Sequence, residues 1–383
     1  MTALLLIDLT ELALPQPRVS RRAPSAASVR RRKAAKPLSF ATSLQRARTA
    51  DETLSLTAQF SPDGADAAAL LRKAAIVAPR DSDAVWRDER LARALEAVGD
   101  GGADAACDAL WALAVLRGDA DDAPVDALLA DAAAAVARHA PSLGAHRAAE
   151  IAWAWRALPL EHPPPEPIRA RVASLPFCVH VGCLGGALDL GALRDEVALA
   201  RDVIRSGSAV ASSRQVLESR LTAWQSDAGV PFEYAGKVMA GGALTPHVAA
   251  ARDRIAASLD RRYDSVLVNY YRDGEVGMRF HSDPGQGEAW GYSTCVASVG
   301  GTRLFAFRRA AAVNDASRRC TFAVRDGDVV EMHSDCQAAY QHSVRTEAEA
   351  ARATERVSLV FKRTVALEAA RRAAEREDGA EVG

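Results

Sequence analysis

The sequence lacks the features that define several classes of protein. It has no apolar run long enough to span a bilayer, which excludes a transmembrane helix. Only 5% of its 383 residues are aromatic. Its six cysteines are scattered along the chain, so we expect the reduced thiols of an intracellular protein rather than a disulfide framework. A net charge of −1 gives no overall signature of a nucleic-acid-binding protein, and a hydrophobic content of 49% is enough for globular domains.

Acidic residues are absent from residues 12–50, although ten Lys or Arg residues lie there. An acid-free segment rich in Arg, Ser and Ala is typical of an organelle transit peptide, so we expect import into a chloroplast or a mitochondrion. The Arg-Arg-Arg-Lys run at 30–33 supports nuclear import as an alternative, and a basic tail that touches nucleic acid weakly is another. We therefore assign residues 1–50 to a basic disordered tail or an organelle transit peptide.

Residues 51–161 have the pattern of α-helices, because Ala and Leu are dense and apolar residues recur every three or four positions. Two stretches resemble each other, and their tryptophans, Trp111 and Trp153, are 42 residues apart. This period suits stacked helical repeats. A plain helical bundle with these tryptophans in its core is the alternative. In either arrangement, this helical region would offer a surface to a protein partner.

Consecutive prolines at 163–165 interrupt the helical pattern, since proline lacks the backbone N–H that a helix requires. After them the sequence changes to short strands separated by turn residues. We assign residues 162–184 to a proline-rich linker and an entry strand, and residues 185–365 to a strand-rich domain. The last residues, 366–383, are predicted to form a charged helix or tail.

The segment 266–283 contains a candidate metal-binding motif. Its pattern predicts two strands joined by a turn at 272–274. Side chains alternate along a strand, so His281 and Asp283 would project to the same face. An imidazole and a carboxylate placed in this way can bind one metal ion. A further imidazole would complete the facial set of three ligands that non-haem Fe(II) oxygenases use.

The His-Ser-Asp motif occurs twice, at 281–283 and at 333–335. Only the first copy follows a strand on which two polar side chains, Asn269 and Tyr271, share a face. His342 lies far enough along the chain to come from a different strand. We therefore select the first copy together with His342, and predict that the second copy belongs to an ordinary strand or loop.

The run 356–362 has the pattern of a closing strand. Alternation places Arg356 and Lys362 on one side of it and Arg363 on the other. Two cations on one face, near an iron site, can clamp a small dicarboxylate.

Residues 185–365 resemble the AlkB family of Fe(II)- and 2-oxoglutarate-dependent dioxygenases. The matching blocks, in chain order, are 220–224, 232–236, 269–271, 281–283, 297–308, 327–332 with Gln337 and His342, and 356–362. The resemblance implies a double-stranded β-helix, or jelly-roll, in this domain. Together with the all-α, possibly repeat-like region before it, this gives an α+β fold class.

The resemblance also implies the metal ligands and the cosubstrates. By position, His281, Asp283 and His342 would ligate Fe(II). The family's reaction consumes 2-oxoglutarate and O2, releases succinate and CO2, and hydroxylates a C–H bond of the substrate.

The resemblance further implies how 2-oxoglutarate is held. Asn269 and Tyr271 would hydrogen-bond it, and Arg356 would pair with its distal carboxylate. This chain departs from the family at two positions. Lys362 stands where the family usually has a second arginine, and lysine lacks the planar fork of a guanidinium. Gly285 stands where family members that act on nucleobases often carry a further acid.

The function implied first is oxidative demethylation of alkylated nucleobases in DNA or RNA, with release of formaldehyde, as in DNA repair. A nucleic acid would then be the partner. The alternative is a dioxygenase of the same fold that hydroxylates or demethylates a protein or a small molecule. The third candidate is a catalytically silent binding protein.

Overall fold

The computed structural model describes residues 38–370 and 373, except for 81–82, 100, 118–125, 159, 187, 207–213 and 348–353. The basic segment 12–37 lies outside the described residues, and so does most of the predicted tail at 366–383. A compact unit begins at Phe40. None of the described helices is long and apolar enough to cross a membrane.

Eight α-helices precede the strands in the described part of the chain. They are α1 Phe40–Arg46, α2 Ala50–Phe60, α3 Gly64–Val77, α4 Glu89–Val98, α5 Gly102–Leu116, α6 Asp126–His139, α7 Ala145–Ala157 and α8 Glu166–Val172. Most of them fall in the region predicted to be helical. The exceptions are α8, which lies in the predicted linker, and α1 with the first residue of α2, which lie in the predicted tail.

The helix α2 begins at a cap that composition does not reveal. The Thr49 side chain accepts a hydrogen bond from the Glu52 backbone N–H at 3.1 Å. The Glu52 carboxylate accepts in return from the backbone N–H of Arg48 at 2.7 Å. This is close to a capping box, which satisfies backbone donors that a helix start otherwise leaves unpaired. Regular structure therefore begins before residue 50, inside a segment that looks uniformly basic.

Fourteen β-strands were found in the described residues, with three further helices among them. The strands are β1 Phe177–His180, β2 Val203–Ser206, β3 Arg214–Leu217, β4 Leu221–Ser226, β5 Phe232–Tyr234, β6 Lys237–Met239, β7 Ser265–Tyr271, β8 Met278–His281, β9 Trp290–Gly300, β10 Arg303–Arg309, β11 Arg319–Val324, β12 Val329–Met332, β13 Tyr340–Val344 and β14 Arg356–Thr364. The helices are α9 Leu190–Glu196, α10 Pro246–Leu259 and α11 Cys336–Ala339.

Two of the antiparallel sheets enclose a small cavity. The larger has six strands in the order β1-β12-β9-β14-β7-β4, and the smaller has four in the order β11-β10-β13-β8. One small cavity is lined by side chains from both sheets, for example Tyr271 and Val360 from the larger and Phe305 and His342 from the smaller. The inner faces of the two sheets therefore meet at this cavity. The fold is mixed, with helices and mostly antiparallel strands.

Apolar side chains cover both faces of the six-stranded sheet. Alternate residues of β14, such as Leu359 and Phe361, pack in one buried cluster with Val248 and Ile255 of α10. Val360, between them, belongs to the other cluster, which extends into the smaller sheet and the N-terminal helices. This alternation is the one predicted for the closing strand. It directs the even-numbered side chains of β14 toward the cavity.

The N-terminal helices pack directly on the smaller sheet. Trp111 of α5 is buried and donates from its indole N–H to the Thr321 carbonyl of β11 at 2.7 Å. Trp153 of α7 meets the ring of Phe322, also on β11, edge to face with 6.0 Å between centroids. The two tryptophans that suggested a repeat thus contact adjacent residues of one strand. They lie in the core, as the bundle alternative predicts, whereas the repeat stays a prediction.

Glu150 connects these helices to the sheet, and its side chain is only 3% exposed. It accepts from Arg72 at 2.9 Å, from Arg147 at 3.0 Å, and from the backbone N–H of Thr321 at 2.9 Å. Removing Glu150 takes the most buried carboxylate from Arg72 and Arg147, which keep Asp108, and leaves the Thr321 N–H without its acceptor. We expect Glu150→Ala to lower the free energy of unfolding by about 3 kcal/mol, measured by chemical denaturation.

The matched control is Glu89, whose pair with Arg93 is exposed on both sides. Exposed pairs contribute little, so Glu89→Ala should change the free energy of unfolding by less than about 1 kcal/mol. Equal effects of the two substitutions would show that Glu150 does not hold the helices to the sheet.

Candidate metal centre

Three candidate metal ligands converge in the cavity. His281 is the last residue of β8, and His342 lies directly opposite it on β13. The Oδ1 atom of Asp283 is 3.5 Å from His281 Nε2 and 3.7 Å from His342 Nε2. All three ligand atoms lie within 4.8 Å of one another. One ion with bonds of about 2 Å fits such a group after small side-chain movements.

Surrounding groups orient both imidazoles. His281 Nδ1 lies 2.8 Å from the Arg279 carbonyl oxygen, which can only accept, so Nδ1 donates to it and Nε2, on the side of Asp283, is left to bind a metal ion. The His342 ring is parallel to the Phe305 ring, with 5.7 Å between centroids and 4° between planes. Ligands held in this way need little rearrangement to bind a metal.

The charge states of the site suit a divalent cation. Burial works against the charged form of Asp283, but Lys362 and the two imidazoles outweigh it and hold the pKa of Asp283 well below its ordinary value. Burial, and then the neighbouring His281, lower the pKa of His342 to about 3. At neutral pH the site therefore presents a carboxylate and a neutral His342 imidazole, the forms that bind metals.

The second His-Ser-Asp motif, at 333–335, forms no such group. It lies in a turn after β12, where His333 Nδ1 is 3.1 Å from the hydroxyl of Ser334. Within the described ranges, the three residues above are the one group of His, Cys, Asp or Glu side chains that could surround a metal ion. This agrees with the prediction of a loop.

Polar side chains cross the inner face of the larger sheet in register. Asn269 on β7 lies opposite Thr222 on β4 and Ser358 on β14. Ser358 in turn lies opposite Ser298 on β9. Asn269 and Ser358 line the cavity. The sheet therefore presents a row of hydrogen-bonding groups to the space beside the metal ligands.

Arg356 is the residue most suited to bind an anion. It is fully buried, and its Nη2 donates to Ser298 Oγ at 2.7 Å. Its Nε and Nη1 have no hydrogen-bond partner within the described part of the chain. Burial, outweighing its neighbour Tyr271, lowers the pKa of Arg356 to about 10, so the guanidinium stays charged at neutral pH. A buried cation with free donors is costly unless an anion pairs with it, so the site fits a carboxylate.

Lys362 makes a contact that sequence reasoning did not predict. It shares a face of β14 with Arg356, as expected, but lies six residues further on, about 20 Å along the strand. Its Nζ is 2.8 Å from Asp283 Oδ2. Arg363 points to the other side, where it pairs with Glu368 at 2.6 Å. The two cations of this face therefore do not form one fork, because Lys362 holds a candidate metal ligand.

Two further residues of the site were not predicted, although both belong to the sequence blocks that resemble the AlkB family. Arg220 lines the cavity, and its Nε donates to Asn269 Oδ1 at 2.7 Å. Gln337 accepts at 2.8 Å from the backbone N–H of Asp283. Neither contact follows from spacing, because each joins segments that only the tertiary fold brings together.

Comparison with known proteins identifies the family. Residues 187–362 match the family model described as the 2OG-Fe(II) oxygenase superfamily. The uncharacterized protein R406 of Acanthamoeba polyphaga mimivirus is 30% identical over 133 residues, which are 35% of this chain and 67% of the viral protein. The chain belongs to the 2OG-Fe(II) oxygenase superfamily. Oxygenases of this family use Fe(II), 2-oxoglutarate and O2, and the family implies a jelly-roll, with which two facing antiparallel sheets agree.

One solved structure that is similar in part is described as "The structure of OsALKBH1". The matched region is 18% identical and spans 38% of this chain and 78% of the solved chain, with a TM-score of 0.28.

The two His-Ser-Asp motifs allow a matched test of the metal site. We expect His281→Ala to weaken Fe(II) binding at least about tenfold and to abolish the weak visible band that Fe(II) and 2-oxoglutarate give together without oxygen. His333→Ala should leave both unchanged, because His333 lies outside the cluster. Anaerobic titration followed by absorbance measures both. An unchanged band in His281→Ala would place the iron elsewhere.

Proposed function

We propose that this oxygenase is AlkB-like and removes N-methyl groups oxidatively from nucleobases in DNA or RNA. One observation carries the proposal: a complete triad of His281, Asp283 and His342 lies in a cavity with aromatic walls, next to a buried cation. The guanidinium of Arg356 is 5.5 Å from the ring centroid of Tyr271, which lines this cavity. The triad accounts for the metal, and the buried cation for an acidic cosubstrate. The walls suit a flat substrate.

The bound metal and 2-oxoglutarate supply the oxidation, in which O2 is consumed, 2-oxoglutarate becomes succinate and CO2, and one oxygen atom enters a C–H bond of the substrate. On an N-methyl group the product is an N-hydroxymethyl group. Its N–C bond then breaks, which leaves N–H on the base and releases formaldehyde. The protein itself supplies geometry and charge rather than the oxidant.

Each residue of the site has a proposed part in this reaction. The triad binds Fe(II), and Lys362 holds Asp283 in place through its other carboxylate oxygen. Arg356 binds the distal carboxylate of 2-oxoglutarate with its Nε and Nη1 donors. Asn269 and Tyr271, which line the same cavity, hydrogen-bond the cosubstrate. These groups orient 2-oxoglutarate before the substrate enters.

Aromatic side chains form one wall of the cavity. Phe232 and Tyr234 line it, and Trp224 stacks behind Phe232 with 4.7 Å between centroids and 19° between planes. Trp290 meets Trp224 edge to face at 5.2 Å and packs this wall from behind. A base must leave the helical stack to reach an enclosed metal, and aromatic rings compensate for part of the stacking that it loses.

A cluster of arginines on the outer face of the smaller sheet offers a surface to a nucleic acid partner. The guanidinium of Arg308 lies 4.2 Å from the ring centroid of Phe280 and is fixed by two hydrogen bonds to Gln341 Oε1, at 2.9 and 2.7 Å. Arg319 lies 6.0 Å from the same ring, and Arg279 is exposed beside it. Phe280 and Gln341 each directly precede a ligand histidine, so their side chains point to the face of the sheet opposite the cavity. Cations fixed on this face could bind phosphates.

Two other arginines of the strand-rich domain offer less. Arg272 pairs with Asp273 at 3.1 Å, and Arg318 pairs with Asp315 at 3.2 Å. The support from surface charge for a nucleic acid partner therefore comes from Arg279, Arg308 and Arg319, and not from the overall charge of the chain.

One observation favours a protein or small molecule as the substrate instead. Gly285 has φ +76°, and a Cβ there would lie 3.0 Å from Cδ1 of Trp290. An acid at this position, which nucleobase enzymes of the family often carry, would strain the backbone and crowd the Trp290 ring. A silent binding protein would lack a ligand of the triad, whereas all three are present.

Succinate release, measured over a set of methylated DNA, RNA and peptide substrates, tests the proposal. We expect methylated oligonucleotides to stimulate succinate release and to yield an equal amount of formaldehyde, with His281→Ala as the inactive control. Stimulation by peptides alone would support the alternative. No succinate in any reaction, with or without substrate, would indicate a binding protein.

A further inference from the structure

Arg220 lies at the cavity wall, next to the start of β4, and has no part in the reaction as proposed above. It is 6% exposed. Its Nε donates a 2.7 Å hydrogen bond to Oδ1 of Asn269, the residue proposed to bind 2-oxoglutarate. The contact is buried and joins residues 49 positions apart. It raises the question of what Arg220 does to the Asn269 amide.

Glu218 holds Arg220 from behind. Its side chain has no exposure, and its Oε1 is 3.4 Å from Arg220 Nη2. The same carboxylate accepts from Lys237 Nζ at 3.1 Å, from Thr222 Oγ1 at 3.2 Å and from the Tyr234 hydroxyl. A buried carboxylate with this many donors has little freedom to move. The guanidinium that it anchors is therefore held in one position.

The Asn269 amide has two orientations, and hydrogen bonds decide between them. One end of the amide is an acceptor oxygen and the other is an NH2 group with two donors. An arginine has no acceptor, so it can bond only to the oxygen. Because Arg220 Nε bonds at that end, the NH2 group is turned to the other side. Within the described residues nothing accepts a hydrogen bond from this NH2 group, and Asn269 lines the cavity.

We infer that Arg220 is a positioning residue that fixes the Asn269 amide with its N–H donors toward 2-oxoglutarate. With the amide reversed, its oxygen would face the carboxylate or keto oxygen of the cosubstrate, and two acceptors would meet without a proton between them. Arg220 thus acts through Asn269 and does not itself touch the cosubstrate. This inference rests on the cosubstrate role proposed for Asn269.

A double-mutant cycle tests it by the affinity of the Fe(II)-loaded protein for 2-oxoglutarate, titrated without oxygen through the visible band. We expect Arg220→Met to raise the Kd about tenfold, the effect of one good hydrogen bond, with Fe(II) affinity unchanged. In a protein that already carries Asn269→Ala, Arg220→Met should have no further effect on the Kd. A merely structural role would not produce this dependence.

Two further variants distinguish a specific effect of Arg220→Met on the Kd from a loss of folding. Arg220→Lys keeps the charge beside Glu218 and a donor within reach of the amide oxygen, so we expect the Kd to rise less than in Arg220→Met. Arg201→Met is the control, because Arg201 is an exposed arginine whose described hydrogen bond goes to the Ser219 carbonyl, at 3.5 Å. It should leave the Kd unchanged.

The outcomes separate this inference from the proposed function. If Asn269→Ala alone leaves the Kd unchanged, the cosubstrate role of Asn269 is wrong, and the inference falls with it. If Asn269→Ala weakens binding but the Arg220 variants do not, only the inference is wrong. Independent effects of the two residues, multiplying in the double variant, would also overturn it, since Arg220 would then act by another route.

Discussion

The metal site depends on the pairing of β8 with β13. This pairing sets His281 directly opposite His342, and Asp283, two residues further on, reaches both imidazoles. A slip of one residue would turn one imidazole to the other face of the sheet, because strand side chains alternate. The register between these two short strands therefore decides whether the three ligands meet.

The charged side chains around this pairing are arranged to bind a metal ion and an anion. Asp283 is balanced by Lys362 and by two imidazoles, so a metal enters a site whose carboxylate is already ionised. At the far end of β14, Arg356 keeps two buried donors without partners among the described residues. Buried charges are normally paired, so these unpaired donors of Arg356 point to a bound anion. The distal carboxylate of 2-oxoglutarate would supply it. Asn269, directed by Arg220, lies on the same sheet between these two ends.

Local pattern was sufficient to predict much of the site. Alternation predicted a shared face for His281 and Asp283, and both line the cavity, although Asp283 lies beyond the end of β8. It also predicted the side of β14 that bears Arg356 and Lys362. It could not give the partner of Lys362, because Asp283 lies 79 residues away and only the fold brings the two together. The contact between Arg220 and Asn269 was hidden for the same reason. The packing of the N-terminal helices on β11 could not be predicted either, because Trp111 and Thr321 are 210 residues apart.

Anomalous X-ray diffraction at the iron edge, from crystals grown without oxygen with Fe(II) and 2-oxoglutarate, tests the central claim most directly. We expect one strong peak about 2 Å from His281 Nε2, from His342 Nε2 and from a carboxylate oxygen of Asp283, with the distal carboxylate of 2-oxoglutarate at Arg356. A peak bound by other residues, or no peak between β8 and β13, would contradict it.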